Sequence, residues 1–248
     1  MPELVHYSVA DAVATITLDS QHNRNALSRQ LVSELFAGLE QAAADPGVKV
    51  VLITSAGRVF CSGADLSEAS SEGMDEGTRR IVALQRLIVS MDKPVVTRLG
   101  GAVRAGGIGI VAASDIVVAA EDATFALTEV KLGLAAAIIS LTVHARMNPR
   151  AAALTTLGGE VFSGAEAASY GLVTTAVPAE DLDAEVARVC ASLATGAPQG
   201  LRESKRILNR DLLARIDAYG DEMAELSSRL FASDEAREAM TAFLSRKR

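Results

Sequence analysis

Hydrophobic and polar positions change their period along the chain, and the changes outline its elements. Between residues 5 and 18 apolar and polar positions alternate on either side of Ala10, Asp11 and Ala12, which predicts a β-hairpin. Leu31, Val32, Leu35, Phe36 and Leu39 then recur at helical spacing behind Ser28, a residue suited to cap a helix. Asp45, Pro46 and Gly47 close that helix. Residues 49–54 (KVVLIT) and 95–99 are short apolar runs of the kind buried in a parallel sheet. The polar stretch 67–78 between them reads as a loop, followed by a helix over about 79–91. Gly100, Gly101, Gly106, Gly107 and Gly109 come next, with a short helix predicted over 106–113 and strands over 115–120 and 124–127. Strands alternating with helices predict an α/β fold with parallel strands and right-handed crossovers. After about Pro198 the texture turns charged and amphipathic, and three helices are expected, over 199–209, 212–231 and 234–248. The pattern divides the chain into an α/β core, 1–197, and a helical region, 198–248, that docks on the core or on another subunit.

Composition narrows the function. Apolar residues make up 49% of the 248 and charged residues 22%, a globular mixture that excludes bulk disorder. Lys and Arg number 24 against 31 Asp and Glu, a formal charge of −7, which argues against nucleic acid or an anionic membrane as partner. His6, His22 and His144 are scattered, and Cys61 and Cys190 fit no zinc or disulfide pattern, so no metal site is expected. Residues 1–19 lack a basic start followed by an apolar core, and no apolar stretch reaches about 18 residues. The expectation is a soluble, cytoplasmic protein that handles small molecules.

Two segments carry candidate chemistry. Residues 59–66 (VFCSGADL) and 100–109 (GGAVRAGGIG) each lead from a strand into a turn of small residues, where a ligand can approach the main chain closely. If Gly106 opens a helix, its N–H lies at a positive helix end. Two such N–H groups aimed at one point would form an oxyanion hole. Neither a phosphate-loop nor a GxGxxG pattern is present. Taken alone, glycines of this kind also serve as turns and packing contacts.

The ordered set of segments resembles the crotonase superfamily, the enoyl-CoA hydratase/isomerase family. The carriers are residues 23–28 (NRNALS), 60–66 (FCSGADL), 101–116, 125–133 (FALTEVKLG), 162–173 and 239–243 (AMTAF), spanning nearly the whole chain. The resemblance implies a spiral of ββα units with a helical C-terminal trimerisation region, so a homotrimer or a dimer of trimers. It implies an acyl-CoA thioester as substrate and partner, with no separate cofactor, since coenzyme A belongs to the substrate. The N–H groups of Ala64 and Gly106 would hold the thioester oxygen, and Glu129 aligns with a catalytic glutamate. Groups around Arg24, Ala26, Leu27, Cys61, Ala64, Asp65 and Leu66 would contact the CoA ester, with Phe243 and Arg246 of a neighbouring subunit completing the pocket. Asp65 reads better as a helix cap than as a catalyst, and Cys61 as a small buried hydrophobe. His22 and His144 are given no catalytic part.

One departure bears on the reaction. Ordinary hydratases of the family carry a second glutamate where this chain has Gly109. The segment around Glu129 is similar to that of methylglutaconyl-CoA hydratases, which also work with a glycine there. The expectation is a hydratase-like lyase with one glutamate, with open space at Gly109 for a branched or acidic acyl group. An isomerase using Glu129 alone, or a non-catalytic acyl-CoA binder, are the alternatives. Arg104 stands where the family tends to be apolar, and could meet a CoA phosphate, an acidic acyl group or a structural carboxylate.

Overall fold

The computed structural model describes residues 2–68 and 74–245; of Phe243 and Leu244 it describes the backbone alone. β1 (Val5–Ala10) and β2 (Val13–Leu18) form the expected antiparallel hairpin. Asp11 and Ala12 turn it with φ of 50° and 62°, the pair of positive angles that suits a tight two-residue hairpin turn. α1 (Arg29–Ala44) starts at Ser28, whose Oγ accepts the Leu31 N–H at 3.3 Å, and buries Leu31, Val32, Leu35 and Leu39 against the sheet.

The next three units share one plan. β3 (Val50–Ser55), β4 (Val59–Cys61) and α2 (Asp75–Ser90) are followed by β5 (Val95–Leu99), β6 (Ala102–Arg104) and α3 (Gly106–Ala113). Then come β7 (Ile116–Ala120), β8 (Thr124–Ala126) and α4 (Ala137–Arg146). In each unit the first strand joins a six-stranded sheet of order β1-β2-β3-β5-β7-β10, and the second joins a four-stranded sheet of order β4-β6-β8-β9. This is the expected spiral of ββα units. Strands β3, β5 and β7 pair in parallel, as do β4, β6 and β8. The consequence is that β4, β6 and β8 end side by side, and the turns that follow them share one end of the smaller sheet.

Further along lie α5 (Pro149–Gly158), β9 (Phe162–Ser163), α6 (Gly164–Ser169), β10 (Thr175–Val177) and α7 (Leu182–Ala194). α2 begins a turn earlier than expected, with Asp75 and Glu76 favourably placed in its positive first turn.

The C-terminal region differs from its expected three helices. α8 (Pro198–Phe231) is one helix of 34 residues, followed by α9 (Asp234–Ser245). Polar residues near the expected break after 209 are buried anchors. Lys205 Nζ lies 2.8 Å from Asp115 Oδ2 and donates to the carbonyls of Ile88 and Lys93. Asn209 Nδ2 donates to Asp115 Oδ1 at 2.8 Å, and Arg146 Nη2 donates to Asn209 Oδ1 at 3.1 Å. A buried ion pair is tolerable only when its remaining donors and acceptors are satisfied, which these are. Among the described residues, no helix is long and apolar enough to cross a membrane.

Candidate active site

The site is assembled where three chain segments meet at the ends of β4, β6 and β8. The segment before α1 is held in an uncommon conformation, with Arg24 and Asn25 at φ of 58° and 53°. Asn25 pins it, its Oδ1 accepting the Ser20 N–H at 2.6 Å and its Nδ2 donating to the Val59 carbonyl at 2.8 Å. Leu27 then lies parallel to Ala64 as an isolated bridge, and its N–H donates to the Gly63 carbonyl at 2.8 Å. Ser62 Oγ donates to the Asn23 carbonyl, and Asn23 Nδ2 donates to Asp65 Oδ2 at 3.1 Å. Burial alone would raise the Asp65 carboxyl, yet hydrogen bonds from Ser67, Asn23 and Glu68 hold it below its usual range. Asp65 is thus occupied in fixing the turn.

The second turn follows β6. Ala105 adopts φ 47° and ψ −124°, a strained conformation for a residue with a Cβ, of the kind that persists only where surrounding contacts impose it. Its N–H donates to the Ala126 carbonyl at 3.1 Å, tying the turn to β8. The two turns pack closely. A Cβ on Gly107 would lie 2.6 Å from Cys61 Cβ, and one on Gly63, already at φ +92°, would lie 2.9 Å from Ala105 Cβ and 3.8 Å from the Gly106 nitrogen. Among the described residues, neither the Ala64 N–H nor the Gly106 N–H has an acceptor within the protein. Both residues line the same cavity, of about 1550 Å³.

Glu129 lines it too, at the first position of a 3-10 turn (Glu129–Leu132) beyond β8. Its Oε2 is buried without a hydrogen-bond partner. Burial pushes its carboxyl up to about 7, against the smaller opposing effect of a hydrogen bond from its own N–H. A carboxyl at that value exchanges protons readily near neutral pH.

Arg24, Ala26, Leu27, Asp65 and Leu66 line this cavity as well. Cys61 does not. It is fully buried beneath the turn, and burial pushes its thiol up to about 12, the behaviour of a small core hydrophobe. The Phe243 side chain and Arg246 lie outside the described residues. His22 and His144 are not part of the cavity lining. Arg104 lines the cavity, and its guanidinium donates to the carbonyls of Val103 and Thr124 and to Thr124 Oγ1 rather than to a carboxylate.

Gly109 requires a correction. It is buried in α3 and does not line the cavity. A Cβ there would meet Ile139 Cγ2 at 2.6 Å and the Gln85 amide at 3.2 Å, so the expected open space is already filled. Gln85 is itself locked, accepting from Thr142 Oγ1 at 2.7 Å and donating to the Ile138 carbonyl at 3.0 Å. Ile138 and Ile139 instead supply an apolar wall. Ile139, within an apolar run, and Arg80, within the helix predicted over about 79–91, also line the cavity; neither carries a local sequence signal for a binding site.

Comparison with known proteins identifies the family and the fold. Residues 8–248 match the family model described as enoyl-CoA hydratase/isomerase. The chain is 31% identical over 252 residues to a probable enoyl-CoA hydratase of Bacillus subtilis, covering 98% of this chain and 96% of that one. It is 28% identical to a peroxisomal Δ(3,5)-Δ(2,4)-dienoyl-CoA isomerase of Arabidopsis thaliana, over 99% of this chain and 95% of that one. A crystal structure of a putative enoyl-CoA hydratase from Mycobacterium avium paratuberculosis superposes with a TM-score of 0.93 at 46% identity, covering 98% of this chain and 97% of that one.

Proposed function

This chain belongs to the enoyl-CoA hydratase/isomerase family, and we propose that it adds water across the C2=C3 bond of a 2-enoyl-CoA, or removes it from a 3-hydroxyacyl-CoA. The reading rests on one observation: Glu129, whose buried Oε2 has no partner, lines the same cavity as Ala64 and Gly106, whose main-chain N–H groups have no acceptor among the described residues. The thioester oxygen accepts from Ala64 N–H and Gly106 N–H. Ionised Glu129 takes a proton from a water molecule as its oxygen bonds to C3, and the electron pair of the double bond moves onto the thioester oxygen as an enolate. The enolate collapses as C2 takes the proton back from Glu129, which returns to its ionised form. Charge that collects on oxygen is stabilised by fixed dipoles, and one such donor is worth about 3–4 kcal/mol. The reaction therefore calls on no cofactor beyond the coenzyme A of the substrate.

In this reading Glu129 works as a single carboxylate, as in the methylglutaconyl-CoA hydratases that its segment resembles. With the space at Gly109 filled by Ile139, an acyl branch or tail is accommodated on the α1–α2 side of the cavity. The proposal includes assembly as a trimer or pair of trimers through the C-terminal helices, and a cytoplasmic location.

Gly109, standing where ordinary hydratases of the family carry a second glutamate, favours one further reading: an isomerase, in which Glu129 carries a proton between two carbons of the acyl chain. The activity named for the Arabidopsis relative supports it. Absorbance assays on a panel of 2-enoyl- and 3-enoyl-CoAs separate the two. Hydration removes the conjugated enoyl chromophore, and isomerisation of a 3-enoyl substrate creates it.

A further inference from the structure

The acid–base chemistry leaves one feature of the cavity unused. Among the described residues, four buried side-chain polar atoms have no hydrogen-bond partner. Two of them, Glu129 Oε2 and Arg80 Nε, belong to residues lining this same cavity. The first is accounted for by the reaction. The second is a charged donor on α2 that native structures seldom leave unpaired.

Two contacts from α1 set the plane of the Arg80 guanidinium. Its Cζ lies 5.4 Å from the centre of the Phe36 ring, and Nη2 donates to Ser33 Oγ at 3.0 Å. Neither contact neutralises it, and among the described residues no carboxylate lies within ion-pair distance of it. The adjacent Arg79, by contrast, pairs with Asp75, Asp221 and Glu225. Of the carboxylates that line the cavity beside Arg80, Asp75 is further engaged by Ser228. The lining of the same cavity also includes Val32, Ile81, Ile138 and Ile139, all apolar.

We propose that Arg80 is a specificity-determining residue that binds a carboxylate at the far end of the acyl chain, so that the substrates are enoyl thioesters of dicarboxylic acids. An apolar wall with a guanidinium beside it fits a chain with an apolar middle and an anionic tip. The guanidinium fork matches a carboxylate geometrically, which a lone ammonium does not. A neutral tip would leave the buried Nε–H unpaired, and a site built for a hydrogen bond discriminates strongly against a ligand that lacks it. The proposal rests on the acyl-CoA reading above.

The test measures kcat/KM on pairs of 2-enoyl-CoAs of equal carbon number, ending in a methyl group or a carboxylate, over a series of lengths. Wild type is compared with Arg80→Met and Arg80→Lys. Wild type should prefer the carboxylate member at least tenfold at one length or more. Arg80→Met should abolish that preference, and Arg80→Lys should keep part of it, with the charge retained and the fork lost. Calorimetric titration with the saturated thioesters reads the same preference as a ratio of Kd values without turnover. If that ratio holds and collapses in Arg80→Met while no pair is turned over, the tail contact stands and the hydration reading fails. Equal kcat/KM and equal Kd for both members at every length would overturn the proposal. So would an Arg80→Met variant that loses affinity for free coenzyme A as much as for the carboxylate thioester, since Arg80 would then serve a phosphate.

Discussion

Replacing Glu129 by Gln should make the protein more stable and less active, and the two effects should separate by pH. In the native protein burial raises the Glu129 carboxyl from its ordinary 4.5 to about 7. A group with a raised native pKa binds its proton more tightly when folded. Its contribution to stability is therefore complete below about pH 4.5 and is lost as pH climbs through 7. At about 1.4 kcal/mol per pH unit, the displacement is worth about 3 kcal/mol at most. Water entering the open cavity reduces it. Glutamine has the shape of the protonated acid and does not titrate. Urea unfolding at fixed protein concentration should give similar stabilities for wild type and Glu129→Gln at pH 5. At pH 8.5 the variant should gain about 1–3 kcal/mol. Turnover in the same preparation should fall at least about a hundredfold, the lower end of general acid–base catalysis. A stability difference that does not change between the two pH values would show that Glu129 is not held in a desolvated site. Near wild-type turnover would remove it from the mechanism.

Gly106→Val should set side-chain atoms where Leu27 Cδ1 already lies 2.9 Å from the Cβ position, at the mouth of the proposed oxyanion hole. Turnover should fall by about a hundredfold or more with an unchanged melting temperature, and a variant that unfolds instead would make this glycine structural. Gly109→Glu should not create a second catalytic carboxylate. With Ile139 Cγ2 2.6 Å from the Cβ position, it should cost about 1–3 kcal/mol in overpacking plus the penalty of an unpaired buried acid, read by chemical denaturation. A stable variant with faster hydration would refute this packing. Lys205→Met should deprive the part-buried Asp115 of its direct ion-pair partner, with Arg146 left as the nearby cation, and cost about 3 kcal/mol in the same assay; a loss under 1 kcal/mol would mean that α8 is held by its apolar contacts alone.

Much of the fold was legible because its signals are local. The hairpin turn at Asp11 and Ala12, the Ser28 cap, the apolar runs of β3 and β5 and the helix opening at Gly106 each depend on a few neighbouring residues. The two turns that present Ala64 and Gly106, and the placement of Glu129, were legible as an ordered series of segments. That they meet at one end of the smaller sheet is a property of the spiral topology. Side-chain identity alone misled where distant contacts decide. Asn209 reads as a helix end, yet it is held by Asp115 and Arg146, 94 and 63 residues away. Gly109 reads as an opening, yet the volume a side chain would take is filled by Ile139 from α4 and Gln85 from α2. Arg80 carries no local signal of a site, and only the approach of α1 to α2 sets it over Phe36. Local backbone preferences are written in short windows of sequence, whereas occupied volume and the partner of a buried charge depend on which distant segments the fold brings together.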